Sequence, residues 1–187
     1  MNMYSDEQKR TMLALARDSI AHGLAHGKPP AVDLTGLPDW LCEPRATFVT
    51  LEKDGELRGC IGSLEARRPL AEDVADNAYA AAFHDPRFAP VHADEWPTLA
   101  LHIAILSPPE VMSVTSEEDL LHQLRPGIDG LILEEGRARA TFLPSVWAYT
   151  PDPRDFLRHL KRKAGLPPHY WSASIRAYRY TTQSFPD

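Results

Sequence analysis

A chain of 187 residues, 43% hydrophobic and 25% charged, has the make-up of one folded domain that can bury its own core. Its net charge of −6 speaks against a nucleic-acid partner, which needs a surplus of Lys and Arg along one face. Two cysteines, a polar start (MNMYSDEQKR) and no run of about 18 apolar residues speak against a disulfide framework, a signal peptide and a membrane span. A reducing, cytoplasmic location is expected, with a single Cys42–Cys60 bridge left as an alternative.

Ser5 to Gly27 reads as a helix: Ser5 and Gln8 make a capping box, Leu13, Ala16, Ile20 and Leu24 share a face, and Gly27 with Pro29-Pro30 ends it. Residues 28–45 read as a wrapping loop pinned by Trp40 and Leu41. Thr47–Lys53 and Glu56–Ile61 flank Asp54-Gly55, a type I′ hairpin signal. Pro69 opens a helix whose stripe is Leu70, Val74, Ala78 and Ala81 or Ala82, narrow enough for close packing. Thr98–Leu106 alternates as a strand with Leu99, Leu101, Ile103 and Ile105 on one face, stopped by Pro108-Pro109. Ser116 caps a short helix. Gly130–Glu135 and Arg137–Leu143 read as a second hairpin around Gly136. Asp152-Pro153 opens a helix with Phe156, Leu157 and Leu160 inward, and its basic run Arg158–Lys163 is expected to face solvent. Ser174–Thr182 reads as one final strand. Hairpins and helices without regular βαβ alternation imply an α+β fold with a largely antiparallel sheet flanked by helices.

The segment Leu57-Arg-Gly-Cys-Ile-Gly62 is the most informative for chemistry. Gly59 and Gly62 inside a strand mark a bulge or a close approach to the backbone. By alternation Arg58 and Cys60 share a face, roughly 7 Å apart along the strand. A guanidinium that near favours a thiolate, so the pair reads as a candidate anion-binding or nucleophilic site. A buried, inert cysteine is the competing reading. In His84-Asp-Pro-Arg-Phe88, His84 is a candidate base for Cys60, Asp85 an orienting group and Arg87 an anion partner; an ordinary turn with an ion pair is the alternative. His92 and His102 lack partner ligands at metal-binding spacing, and His102 reads as a packed histidine. No metal site is expected, and no cofactor is indicated. Phe142-Leu-Pro-Ser-Val146 with Trp147 and Tyr149 reads as core or as a ligand edge.

Taken together and in this order, FVTLEKDGELRGCIGSLEARRPL (48–70), AAFHDPRF (81–88), LHIAILSPPE (101–110), GIDGLIL (127–133), ATFLPSVW (140–147) and FLRHLKRKAGL (156–166) resemble the AMMECR family, whose bacterial and archaeal members are called AmmeMemoRadiSam system protein A. The resemblance spans most of the chain, residues 1–187 forming a single domain of this type. It implies a two-lobed fold, a larger lobe holding both termini and a smaller one within about 65–126, with a cleft lined by the LRGCIG strand. It points to Arg58, Gly59, Cys60, Ile61 and Gly62, and to Asp85, Pro86, Arg87 and Phe88, as the functional positions. Ser63 stands where the family commonly has Thr, and Ser145 where it commonly has Gln. The family name implies association with a Memo-like protein and a radical SAM protein. Two functions follow as expectations: an enzyme or enzyme component acting on a small anionic or redox-active substrate, or a non-catalytic adaptor for those neighbours.

Overall fold

The computed structural model describes residues 3–187. In chain order its elements are α1 (Asp6–His26), α2 (Asp39–Cys42), β1 (Thr47–Lys53), β2 (Glu56–Gly62), α3 (Leu70–Phe83), β3 (Ala100–Leu106), β4 (Glu110–Met112), α4 (Glu117–Gln123), β5 (Gly130–Glu135), β6 (Ala138–Phe142), α5 (Pro153–Lys163), β7 (Arg176–Tyr180) and β8 (Thr182–Pro186). The fold is α+β, with two four-stranded antiparallel sheets flanked by helices. The chain divides into two compact units, residues up to 106 with 183–187, and residues 107–182. The second unit shares only 107–126 with the segment expected to form a smaller lobe. Residues 65–106 lie in the first unit because α3 and β3 pack into its sheet and core.

The first unit is built on local signals that the structure realises. The Ser5 hydroxyl accepts from the Gln8 N–H at 3.2 Å, and the Gln8 side chain accepts from the Ser5 N–H at 2.8 Å. These two bonds satisfy donors that no helical carbonyl can reach. Asp54 and Gly55 both take positive φ, 54° and 81°, as a type I′ turn requires. The first sheet has the order β2-β1-β3-β8, with β1 antiparallel to both β2 and β3. One face presents Val49, Leu51, Leu101, Ile103 and Ile105, all fully buried. Leu70, Val74, Ala78 and Ala81 of α3 pack into the same core, as do Met12, Ala16 and Ile20 of α1. Each large aliphatic side chain sealed there contributes about 1.5–3 kcal/mol.

A buried polar network locks the start of β1 and the segment just after β2 onto α3. The Asp73 carboxylate, fully buried, accepts from the Thr47 N–H (2.8 Å), the Thr47 hydroxyl (2.7 Å), the Asn77 amide (2.9 Å), the Ser63 hydroxyl (2.8 Å) and Arg68 Nε (2.8 Å). A buried carboxylate is tolerated when its lone pairs are satisfied in this way.

The second unit carries the sheet β4-β7-β5-β6, antiparallel at each neighbouring pair. Phe156, Leu157 and Leu160 of α5 are fully buried, and the Trp147 ring stacks on Phe156 with centroids 3.8 Å apart. Trp147 is therefore core, while Tyr149 is exposed. The basic run does not lie wholly in solvent. Lys161 is fully buried, its ammonium donating to Glu117 at 2.9 Å and lying 5.8 Å from the Trp171 ring. The expected strand 174–182 is β7, which ends at Tyr180; a further strand, β8, follows Thr181 and shares only Thr182 with that span. There the Thr181 N–H donates to the Ser107 hydroxyl and its carbonyl accepts from the Ser107 N–H. No helix among the described residues is long and apolar enough to cross a membrane.

Candidate functional site

β2 is an edge strand, so one side of its backbone has no strand partner. At Cys60 that side is filled by side chains from the loop after α3. The Cys60 N–H donates to Asp85 Oδ2 at 2.8 Å, and Arg87 Nη2 donates to the Cys60 carbonyl at 3.2 Å. Asp85 and Arg87 are themselves joined: Arg87 Nε to Asp85 Oδ1 at 2.9 Å, Arg87 Nη2 to Asp85 Oδ2 at 2.7 Å, and the Arg87 N–H to Asp85 Oδ1 at 3.0 Å. The pair offers one acceptor and one donor to the strand, as a neighbouring strand would. The Asp85 side chain is 2% exposed and that of Arg87 is 53% exposed. The Arg87 hydrogen bond, with smaller help from the N–H groups of Cys60 and Arg87, outweighs burial and holds the Asp85 carboxyl well below the usual aspartate range. The same pairing raises the Arg87 guanidinium above its ordinary value.

Both glycines of the motif have a steric reason. A Cβ on Gly59 would lie far inside van der Waals contact with the Ala81 carbonyl oxygen, so α3 packs directly against the strand backbone. A Cβ on Gly62 would strike the Phe48 ring and the Thr47 carbonyl. Ile61 turns toward the core and is partly buried there.

The structure does not bring Arg58 to Cys60. The register between β1 and β2 shifts between Leu51 and Glu52, which pair with Gly59 and Leu57. Arg58 is the extra residue of a β-bulge, so the alternation that joined it to Cys60 is interrupted. Its guanidinium turns to Glu95, with Nη2 to Oε1 at 2.6 Å and Nε to Oε2 at 3.3 Å. The Arg58 hydrogen bond leads the effects that lower the Glu95 pKa to about 2. The Phe88 ring lies 5.9 Å from the Arg58 guanidinium and 5.5 Å from that of Arg87, so it joins the two ion pairs.

His84 is also placed apart. It caps the C-terminal end of α3, is exposed, and sets its ring edge-on to Tyr79 at 5.1 Å. That is the helix side of the sheet, whereas the Cys60 side chain alternates with Gly59 and lies on the opposite face.

On that opposite face the half-buried Cys60 sulfur lies 3.2 Å from the Thr50 hydroxyl oxygen. Thr50 pairs with Cys60 on one side and His102 on the other, so the three residues form a row across β2, β1 and β3. His102 is not packed in the core. Its side chain is 39% exposed, with Nε2 lying 3.3 Å from Glu52 Oε2. Thr50, Glu52, Glu95 and His102 are the neighbours that sequence reasoning missed. Alternation carried across three strands is the signal that finds the row. Both cysteines are free thiols. Among the described residues, no three His, Cys, Asp or Glu groups stand together as a metal site.

The chain is 40% identical over 185 residues to a protein of Methanothermobacter thermautotrophicus, covering 97% of this chain and 95% of that one. It is 37% identical to a protein of Methanocaldococcus jannaschii, covering all of this chain and 94% of the other. A crystal structure of an uncharacterised protein from Pyrococcus horikoshii superposes with a TM-score of 0.81 at 34% identity, covering 98% of this chain and 93% of that chain. The AMMECR1 family model matches residues 13–185, and the chain belongs to the AMMECR1 family.

Proposed function

We propose that this protein is an enzyme, or a component of one, that acts on a small anionic or redox-active substrate at Cys60. One observation carries the reading. The Cys60 backbone is fixed on both its N–H and its carbonyl by Asp85 and Arg87, while the residue is only partly buried and its side chain lies on the face of the first sheet away from α3. A side chain held that firmly and not sealed in the core is suited to present a reactive atom. Arg87, half-exposed and bonded to the same residue, supplies the positive charge for an anion. It takes the place first given to Arg58: both guanidiniums are ion-paired, but the Arg87 side chain is 53% exposed and that of Arg58 only 16%. Association with a radical SAM protein and a Memo-like protein is part of the proposal and rests on the family resemblance. So does a cytoplasmic location, with which two free thiols agree.

A second reading is a non-catalytic adaptor for the same neighbours. It draws on the internal pairing of the motif charges, Asp85 with Arg87 and Arg58 with Glu95, which makes the strand edge a rigid surface. Cys60→Ser separates the two. In an assay containing the radical SAM and Memo-like proteins, the enzyme reading expects Cys60→Ser to lose at least about a hundredfold in turnover, the scale of a lost nucleophile. Turnover near the wild-type level, with association still measurable by pull-down, would favour the adaptor.

A further inference from the structure

We infer that His22 and His26 of α1 form a chelating site for a divalent transition-metal ion of the zinc, nickel and copper class. This site lies away from Cys60 and does not depend on the reading given to that residue. The two histidines are four residues apart, so one turn of helix places them on the same face. Their ring centroids are 4.4 Å apart, with the planes tilted by 45°. Two imidazoles held at that spacing on a continuous helix can offer two nitrogens to one ion with little reorganisation.

The surroundings favour a cation. His26 lies in the last turn of α1, where the final carbonyls carry the negative end of the helix dipole. Asp18 stands one turn before His22, and both line a cavity of about 310 Å3 together with Asp33. No lysine or arginine is among that cavity's lining residues. His26 is exposed and His22 half-exposed, so the rings are open to solvent. Because no third ligating group stands beside the pair among the described residues, water completes the coordination shell. The carboxylates of Asp18 and Asp33 line the same cavity as His22, while His26 stands outside it. Imidazole donors select zinc, nickel, copper and cobalt over magnesium and calcium, which prefer oxygen.

The test is calorimetric titration of the full chain with Zn2+, and an absorption titration with Co2+. One site is expected, with no heat from Mg2+ and no thiolate-to-cobalt charge-transfer band. His22→Ala and His26→Ala should each weaken Zn2+ binding about tenfold or more, since losing a ligand costs at least as much as losing its supporting partner. His159→Ala, at an exposed histidine of the second unit, should leave the affinity unchanged. Alanine is a better helix former than histidine, so both α1 variants should fold, which circular dichroism verifies. Wild-type affinity in both variants would overturn the inference. So would a thiolate band that disappears with Cys42→Ser or Cys60→Ser.

Discussion

Replacing Gly59 by alanine is expected to destabilise the protein by about 3 kcal/mol, at the upper end of ordinary overpacking. The clash is with the backbone carbonyl of Ala81, which lies inside α3 and cannot move as a side-chain tip would. Relief requires sliding α3 away from β2, and that would loosen the contacts of Leu70, Val74, Ala78 and Ala81 with the sheet. Gly55→Ala offers the control: a Cβ there meets nothing within 4 Å, and only its positive φ of 81° opposes the change. Urea unfolding of both variants checks the difference. A Gly59→Ala protein as stable as the wild type would mean that α3 does not press on the strand as described.

Asp85→Ala should produce the second large effect, a loss of about 3 kcal/mol with a local signature at β2. The substitution leaves the Cys60 N–H without an acceptor and the Arg87 guanidinium without its partner. Hydrogen exchange at the Cys60 amide should accelerate beyond what the global stability change explains. The pH dependence has a definite sign. The Asp85 pKa is depressed in the folded state, so its contribution is fully present above the ordinary aspartate value of 3.8. That contribution is lost as the pH falls through the lower folded value. Below pH 3.8 the wild type should therefore lose stability more steeply than Asp85→Asn, as measured by denaturant midpoints. Equal slopes would remove Asp85 from its assigned role.

How much of this was legible in the sequence depended on how local the signal was. The capping box of Ser5 and Gln8, the Asp54-Gly55 turn and the Asp152-Pro153 helix start are each written within four residues, and each appears as read. β4 was missed because it has three residues and its Val111 is exposed, which leaves no apolar alternation to see. β8 was missed, and the end of β7 placed two residues late, because no Gly or Pro marks Thr181, where the chain changes sheets. At the site, LRGCIG and DPRF were legible as separate motifs, and the glycines as points of close approach. Their union was not, because Asp85 meets Cys60 across 25 positions and nothing local fixes that register. Period-2 reasoning placed Arg58 beside Cys60 because the glycines signal a bulge or a close approach without fixing which residue is the extra one. The same reasoning, applied to β1 and β3, leads from Cys60 to Thr50 and His102 once the pairing is known.

On the proposed reading, Cys60 presents an accessible sulfur beside the Arg87 guanidinium. Alkylation rates in the folded protein test it directly, with site-resolved mass spectrometry following neutral iodoacetamide and anionic iodoacetate at both cysteines. Cys60 is expected to react faster than Cys42, and its relative preference for iodoacetate to fall in Arg87→Ala. A Cys60 that resists both reagents while Cys42 is consumed would contradict it.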